Sequence, residues 1–165
     1  MIHIMKLFLA VFFFLLFPLL LFSQKEPDRR LLVLKKGMEN KTVTFGKWDE
    51  KGNDELELTY LGTIKNKDAT YKLMTSLWIW GVSGRATSRI LVYDNKNRFL
   101  GDYYLTMSCE LPKKIKNNKL YFELKCEECA KKNTTEVSFY KGIPKHMVVN
   151  CNGATLLIGN FEPAD

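Results

Sequence analysis

The chain has 165 residues, of which 46% are hydrophobic, and a formal net charge of +7 from 25 basic and 18 acidic residues. This length is enough for one domain with a substantial core, and a second domain is not needed. The excess of positive charge is mostly lysine dispersed through predicted turns, which is typical of a solvated surface and of protected strand edges. Because the chain also lacks a DNA- or RNA-binding motif, we expect no nucleic-acid partner.

The N-terminal segment has the composition of an export signal. One basic residue, Lys6, precedes an unbroken apolar run of 16 residues from Leu7 to Phe22, and the small polar residue Ser23 follows. This order of basic, apolar and small residues is typical of secretory signal peptides. The run is also shorter than the roughly 20 residues that a helix needs to cross a bilayer.

We therefore predict that residues 1–23 are a signal peptide, that residues 24–165 form a single β domain, and that the protein is exported to the periplasm, the cell surface or the medium. An uncleaved membrane anchor is the alternative, because Leu21 stands where signal peptidases usually require a small residue. In that case residues 1–23 would be the part of the chain that contacts a membrane.

After this segment the chain has the pattern of a β protein. Apolar and polar residues alternate strictly in Glu55–Tyr60 and Lys119–Lys125, which indicates strands with one solvent-exposed face. The apolar segment Leu31–Leu34 predicts the first strand. Three further strands are predicted at Tyr71–Trp80, Ala86–Tyr93 and Phe99–Leu105. With short turns between them and no long amphipathic helix, we predict an all-β domain, an antiparallel sandwich or barrel of about eight to ten strands.

One stretch, WIWGVSGRATSR at positions 78–89, combines tryptophan, glycine and arginine residues. Gly81 and Gly84 predict a tight turn between two strands of a three-stranded antiparallel meander, because glycine adopts backbone angles that other residues avoid. Alternation along the strand before the turn places Trp78 and Trp80 on the same face.

Two interpretations of this stretch are open. The side chains and backbone N–H groups near the turn would form a small site for phosphate, sulfate or carboxylate, built from Ser83, Arg85, Thr87, Ser88 and Arg89. In the other interpretation Arg85 and Arg89, which share a strand face, pair with Asp94 or Asp102 and pack over the tryptophans. We favour the structural interpretation, because ion pairs produce the same sequence pattern.

The run W-x-W-G-x-S-x-R-A-T-S-R-I, followed by V-Y-D and L-G-x-Y-Y, resembles a pattern in small exported proteins of unknown function from Bacteroidota bacteria. It covers Trp78 to Tyr104, under a fifth of the chain. The resemblance implies export. Because that family has no assigned activity, the resemblance implies no catalytic or ligand-binding residue.

Four cysteines fall in the last third of the sequence, at positions 109, 126, 129 and 151. In an exported chain an even number of cysteines favours disulfides, and four cysteines allow three pairings. We prefer Cys126–Cys129 as a local clip in a turn and Cys109–Cys151 as a link between strands. A structural zinc site is the alternative, although one Cys-x-x-Cys pair with two distant cysteines matches zinc-site spacing poorly, and we expect no bound metal.

Few residues are suited to catalysis. His146 is the only histidine outside the signal segment, which excludes a two-histidine site there. If His146 and Cys151 acted as base and nucleophile, their odd separation on a strand would point them to opposite faces. A carboxylate pair for glycoside hydrolysis stays open, because 18 acidic residues always offer some pair. The motifs of serine hydrolases, zinc proteases and phosphate-binding loops are absent, so we expect a non-enzyme without a cofactor.

Three functions follow from these observations. We favour an exported, non-catalytic binding or accessory module of the cell envelope that contacts a glycan, another envelope component or a partner protein. Its candidate ligand-binding residues are Trp78, Trp80, Ser83, Arg85 and Arg89. A lipocalin-like carrier of a hydrophobic ligand comes second, since several strands are apolar on both faces, and a hydrolase comes third. Exposed tryptophans would favour the first function, an internal cavity the second, and two converging carboxyl groups the third.

Overall fold

The computed structural model describes residues 28–124, 126–127, 129 and 133–164. These residues contain ten β-strands, one α-helix and one turn of 3₁₀ helix. The elements are α1 (Arg29–Lys36), β1 (Thr42–Gly46), β2 (Glu55–Lys65), β3 (Thr70–Trp80), β4 (Arg85–Asp94), β5 (Phe99–Leu105), the 3₁₀ turn (Ser108–Glu110), β6 (Lys114–Lys116), β7 (Lys119–Leu124), β8 (Asn133–Ser138), β9 (His146–Cys151) and β10 (Ala154–Pro163). The predicted signal segment, residues 1–23, lies outside the described residues. Within them, no helix is long and apolar enough to cross a membrane.

The strands form two antiparallel sheets. The large sheet has seven strands in the order β1-β2-β3-β4-β5-β10-β9, and the small sheet has three in the order β6-β7-β8. Because β1 and β9 end the large sheet without pairing with each other, the described strands form no closed barrel. The predicted all-β antiparallel fold is confirmed, and its architecture is a sandwich. The predicted meander is present as β3, β4 and β5.

The main core lies between the inner face of the large sheet and the small sheet. Its largest side chains, Tyr103, Phe122 and Phe139, are fully buried. Leu120 and Leu124 point into it on either side of Phe122, as the alternation of β7 predicts. The space between the sheets is therefore a packed core.

The outer face of the large sheet is covered by α1 over part of its area. Leu58, Met74 and Leu91, from three neighbouring strands, pack with Val33 and Leu34 of the helix into a second buried cluster. Removal of this apolar surface from water holds the helix on the sheet.

The helix contradicts the prediction of a first strand at Leu31–Leu34. Asp28 caps the N-terminus of α1 by accepting a hydrogen bond of 2.9 Å from the backbone N–H of Arg30. Gly37 ends the helix in the left-handed conformation, with φ of 61°. Four apolar residues are too few to distinguish a helical period from a strand period, so the capping residues decide the local structure.

The cysteines form two disulfides, Cys109–Cys126 and Cys129–Cys151. The predicted pairing is therefore wrong, and none of the four thiols is left for a zinc site. The end of β7 lies beside the 3₁₀ turn that carries Cys109, whereas β8 lies beside β9, which ends at Cys151. Cys126 therefore pairs with a cysteine of the 3₁₀ turn, whereas Cys129 pairs with a cysteine of β9. Two disulfides are typical of an oxidising compartment, extracellular or periplasmic.

Candidate functional site

Residues 78–89 form the β3–β4 hairpin. A hydrogen bond of 3.1 Å from Gly84 N to Gly81 O closes its turn, and both glycines have positive φ, 62° and 67° respectively. Trp48, from the segment between β1 and β2, packs against this turn. Its indole Nε1 donates to Gly81 O at 2.8 Å, and a Cβ at position 84 would lie 3.1 Å from its ring. Glycine at position 84 therefore satisfies both the backbone conformation and the close contact with the indole.

Two further indole groups are fixed at this end of the sheet. Trp78 Nε1 donates to Asp54 at 3.2 Å, and Trp80 Nε1 donates to Thr87 Oγ1 at 3.1 Å. The rings of Trp78 and Trp80 stack with their centroids 5.6 Å apart and an interplanar angle of 28°, so they share a face as predicted. Trp78 nevertheless stays 41% exposed. The pair therefore presents a rigid aromatic surface to solvent.

The two arginines of the hairpin have separate partners. The guanidinium of Arg85 lies 5.5 Å from the ring centroid of Trp80. Arg89 donates from Nη1 to both carboxylate oxygens of Asp102, at 2.7 Å and 3.0 Å. These contacts agree with the structural interpretation of the arginines. The other predicted partner, Asp94, forms its ion pair with a different arginine, at position 98.

The predicted anion site is not assembled around one point. Arg85 and Arg89 are four residues apart on β4, which corresponds to about 13 Å along a strand. Ser83 is exposed in the turn. Ser88 is buried on the inner face of the sheet, opposite to the arginines.

A cleft of about 240 Å³ opens on the outer face of the large sheet, at the N-terminal end of α1. It is lined by Arg29, Arg30, Phe45, Asp54, Leu56, Ser76, Trp78, Thr87 and Arg89. Ser76 precedes Trp78 on the same face of β3, so the cleft lies on the Ser76 side of the Trp78 ring and Trp80 stacks on the other side. One face of the Trp78 ring is thus supported and the other borders the cleft.

Among the lining residues, Trp78, Thr87 and Arg89 are predicted from the sequence as candidate site residues. Arg29 and Arg30 are not, because the apolar run that follows them is assigned to a strand. The capping residues on either side of that run are the signal that identifies the helix and its first turn. The remaining lining residues stand on different strands, and their proximity depends on strand register, which the sequence pattern alone leaves undefined.

Three guanidinium groups and one carboxylate, that of Asp54, line the cleft, and the guanidinium of Arg89 is paired with the carboxylate of Asp102. The guanidinium of Arg29 lies 5.5 Å from the ring centroid of Phe45, and that of Arg30 lies 5.9 Å from the ring centroid of Phe99. Contact with these aromatic faces restricts the directions in which the two guanidinium groups point.

A buried hydroxyl lies under α1 next to this cluster. Among the described buried side chains, Tyr93 is the one whose polar atom has no hydrogen-bond partner. Burial raises the pKa of Tyr93 to about 12, and the positive charge of the nearby Arg30 opposes part of this rise. The hydroxyl is therefore neutral at physiological pH.

His146 and Cys151 do not form a catalytic pair. Cys151 belongs to a disulfide, and His146 Nδ1 is hydrogen-bonded to Asn160 Oδ1 at 2.7 Å. In the part of the chain that the structure describes, no three His, Cys, Asp or Glu side chains are grouped to hold a metal ion.

No family model matches the chain, and neither a curated protein nor a solved structure is significantly similar to it.

Proposed function

We propose that this chain is an exported, non-catalytic binding module that holds a sugar ring of an envelope or extracellular glycan against Trp78. One observation carries the proposal: Trp78 is 41% exposed, is held by Trp80 and Asp54, and borders a cleft. Exposure of Trp78 favours a binding module over a carrier or a hydrolase, although Trp80 is half-buried.

The chemistry around Trp78 suits a sugar. The C–H groups on one face of a pyranose ring pack against an aromatic ring, whereas its hydroxyl groups need hydrogen-bonding partners. Asp54, Ser76 and Thr87 line the same cleft and provide such partners, and Phe45 provides further apolar surface. A small number of polar groups within an apolar site is what orients a small ligand.

The aromatic surface is formed before any ligand binds. A hydrogen bond and ring stacking orient Trp78, and Trp48 holds the adjacent hairpin turn. Side chains that are already ordered lose little conformational entropy on binding, so more of the contact energy becomes affinity.

The compartment supports the same proposal. Two disulfides are typical of proteins in an oxidising environment, and the N-terminal sequence has the order of a signal peptide. We take the protein to be exported, where envelope and extracellular glycans are accessible.

A lipocalin-like carrier is less well supported. The large sheet is not closed, and the space between the two sheets holds the fully buried rings of Tyr103, Phe122 and Phe139. A carrier of this type needs an internal cavity.

Isothermal titration calorimetry of the exported protein tests the proposal, with cellohexaose, mannohexaose and trigalacturonate as probes. We expect saturable binding of at least one probe, and Trp78→Ala should weaken it by about tenfold or more, because the ring face is lost. Tyr140→Ala is the control, since Tyr140 is an aromatic residue that is 63% exposed and does not line the cleft. Absence of binding to all probes, or equal affinity of the Trp78→Ala variant, would overturn the proposal.

A further inference from the structure

We infer that the end of the sandwich opposite to the Trp78 cleft docks on an anionic membrane surface. Four connections form this end, which we call the basic end: residues 66–69 between β2 and β3, 95–98 between β4 and β5, 117–118 between β6 and β7, and 139–145 between β8 and β9. The inference concerns a different surface from the proposed glycan site and does not depend on it.

Strand register places two of these connections at the same end of the large sheet. The connection between β2 and β3 begins after Lys65, which pairs with Thr70. The connection between β4 and β5 begins after Asp94, which pairs with Tyr71. Because Thr70 and Tyr71 are consecutive, the two connections lie side by side.

Hydrogen bonds join the small sheet to the same end. Asn118, in the β6–β7 turn, accepts a hydrogen bond from the backbone N–H of Lys65 at 2.8 Å and donates one to the carbonyl of Lys65 at 2.6 Å. Asn66 donates to the carbonyl of Phe139, the first residue after β8, at 3.2 Å. The four connections therefore form one surface, although Asn66 and Phe139 are 73 residues apart in sequence.

Positive charge predominates on this surface. Its exposed lysines are Lys65, Lys67, Lys96, Lys116 and Lys141. Two nearby carboxylates belong to ion pairs with other basic residues, Asp94 with Arg98 at 2.6 Å and Glu136 with Lys119 at 3.2 Å. Within the four described connections, Asp68 is the one acidic residue besides these pairs. The fold thus gathers lysines that the sequence disperses over separate turns, and each lysine near an anionic bilayer raises the affinity by about fivefold.

The arrangement of the lysines favours a planar partner. They stand on connections that leave the same end of both sheets, and stacked sheets are about 10 Å apart. A flat surface can therefore contact lysines of both sheets at once. Ammonium groups are point charges without the paired donors that bind one anion in a fixed geometry, which suits mobile lipid headgroups.

An exposed aromatic residue adds an apolar contact at the basic end. Tyr140 is 63% exposed and stands between the buried Phe139 and the exposed Lys141. At a bilayer interface a tyrosine ring enters the headgroup region while its hydroxyl stays hydrated. Charge attraction and ring insertion therefore act together on a membrane surface.

Docking at the basic end directs the glycan cleft away from the membrane. Thr70 is at the basic end of β3, whereas Trp78 is near the other end of the same strand. The separation of eight residues corresponds to about 27 Å along a strand. The cleft therefore stays accessible while the basic end contacts lipid.

Vesicle co-sedimentation of the exported protein tests the inference at about 100 mM NaCl. The probes are vesicles of phosphatidylcholine alone and of phosphatidylcholine with about 30% phosphatidylglycerol, which adds anionic headgroups. We expect binding to the anionic vesicles and none to the neutral ones. Higher salt should weaken the binding, because the lysines are exposed to solvent.

Paired variants identify the surface responsible. Lys67→Gln combined with Lys141→Gln should weaken binding to anionic vesicles by about tenfold or more. Lys47→Gln combined with Lys51→Gln is the matched control, because it removes the same charge from exposed lysines at the opposite end of the sandwich, and it should bind as the wild type does. Tyr140→Ala should weaken binding by about fivefold, because the apolar contact is lost. Thermal unfolding of each variant establishes that it is folded.

The outcomes separate this inference from the proposed function, since Trp78→Ala should bind vesicles as the wild type does. Equal losses in the two lysine pairs, or equal binding to neutral and anionic vesicles, would overturn the inference. Absence of binding to anionic vesicles would overturn it too, and binding to soluble dextran sulfate in that case would identify a soluble polyanion as the partner instead.

Discussion

The outer face of the large sheet has two halves that differ in what covers them. Under α1, Met74 is fully buried with Leu58 and Leu91, whereas beyond the helix Trp78 is 41% exposed. Met74 and Trp78 stand four residues apart on the same face of β3, so strand alternation makes them equivalent. Because α1 packs over the half that contains Met74, that half, the covered half, is a buried core. The half that contains Trp78, the open half, stays a surface with tryptophan, arginine and a cleft. Membership of a face is thus a local property, but burial depends on what is placed over that face.

The largest effect that tests this comparison is expected at Met74. Met74→Ala removes a fully buried side chain beneath α1 and should lower the free energy of unfolding by about 3 kcal/mol. Trp78→Ala, on the same strand and face, should lower it by only about 1 kcal/mol, from ring stacking and one hydrogen bond. Urea denaturation followed by circular dichroism measures both values. Equal losses would show that the two halves contribute alike to stability.

An intermediate effect is expected in the hairpin turn that shapes the open half. Gly84→Ala should lower the free energy of unfolding by about 2 kcal/mol, because φ is positive and the new Cβ lies 3.1 Å from the Trp48 ring. Gly81→Ala should cost about 1 kcal/mol, because φ is also positive but nothing lies within 4 Å of its Cβ. Differential scanning calorimetry compares the pair. A larger loss at position 81 would contradict the role assigned to Trp48.

The smallest effect is expected at Tyr93 in the covered half. Tyr93→Phe removes a buried hydroxyl that has no hydrogen-bond partner among the described residues, and should raise the free energy of unfolding by up to about 1 kcal/mol at neutral pH.

The pH dependence of the same variant sharpens this prediction. Folding raises the pKa of Tyr93 from 10.0 to about 12, so the folded state disfavours ionisation of the hydroxyl. Stability is therefore unaffected below the pKa of the unfolded chain and falls as pH rises from about 10 to about 12. Tyr93→Phe should lose less stability than the wild type over this interval in urea denaturation at each pH. The buried Tyr103, whose pKa is also raised by burial, remains in both proteins, and identical pH profiles would contradict the prediction.

Much of the β architecture was predictable because its signals are local. Alternating residues predicted β7 and the shared face of Trp78 and Trp80, and Gly81 and Gly84 predicted the turn of the β3–β4 hairpin. Strand neighbours in a meander follow one another along the chain, so their pairing needs no long-range information.

The predicted first strand and the predicted disulfide pairing are both wrong for the same reason: the structure at these positions depends on elements that are distant in sequence. The apolar run Leu31–Leu34 is too short for its period to separate helix from strand, and it became a helix because of its caps and because a sheet face was available for it to cover. The predicted disulfide pairing is wrong because Cys126 and Cys129 are close in sequence but each pairs with a cysteine of a different element.

The residues of the candidate site likewise divide into those that the sequence predicts and those that only the fold brings together. Trp78 and Arg89 were found because they lie in one short stretch with an unusual composition. Arg29 and Phe45 were not, because a helix and an edge strand bring them to that stretch from separate parts of the chain.

The antiparallel β fold, the alternation of side chains along β2 and β7 and the glycine turn of the β3–β4 hairpin are predictable from the sequence, since they depend on the period of a strand and on the conformations open to each residue. Which part of the outer face α1 covers, which cysteines pair and which arginines lie near Trp78 are defined only in the folded protein. These depend on contacts between segments distant in sequence, and such contacts form only when the sheets and the helix pack together.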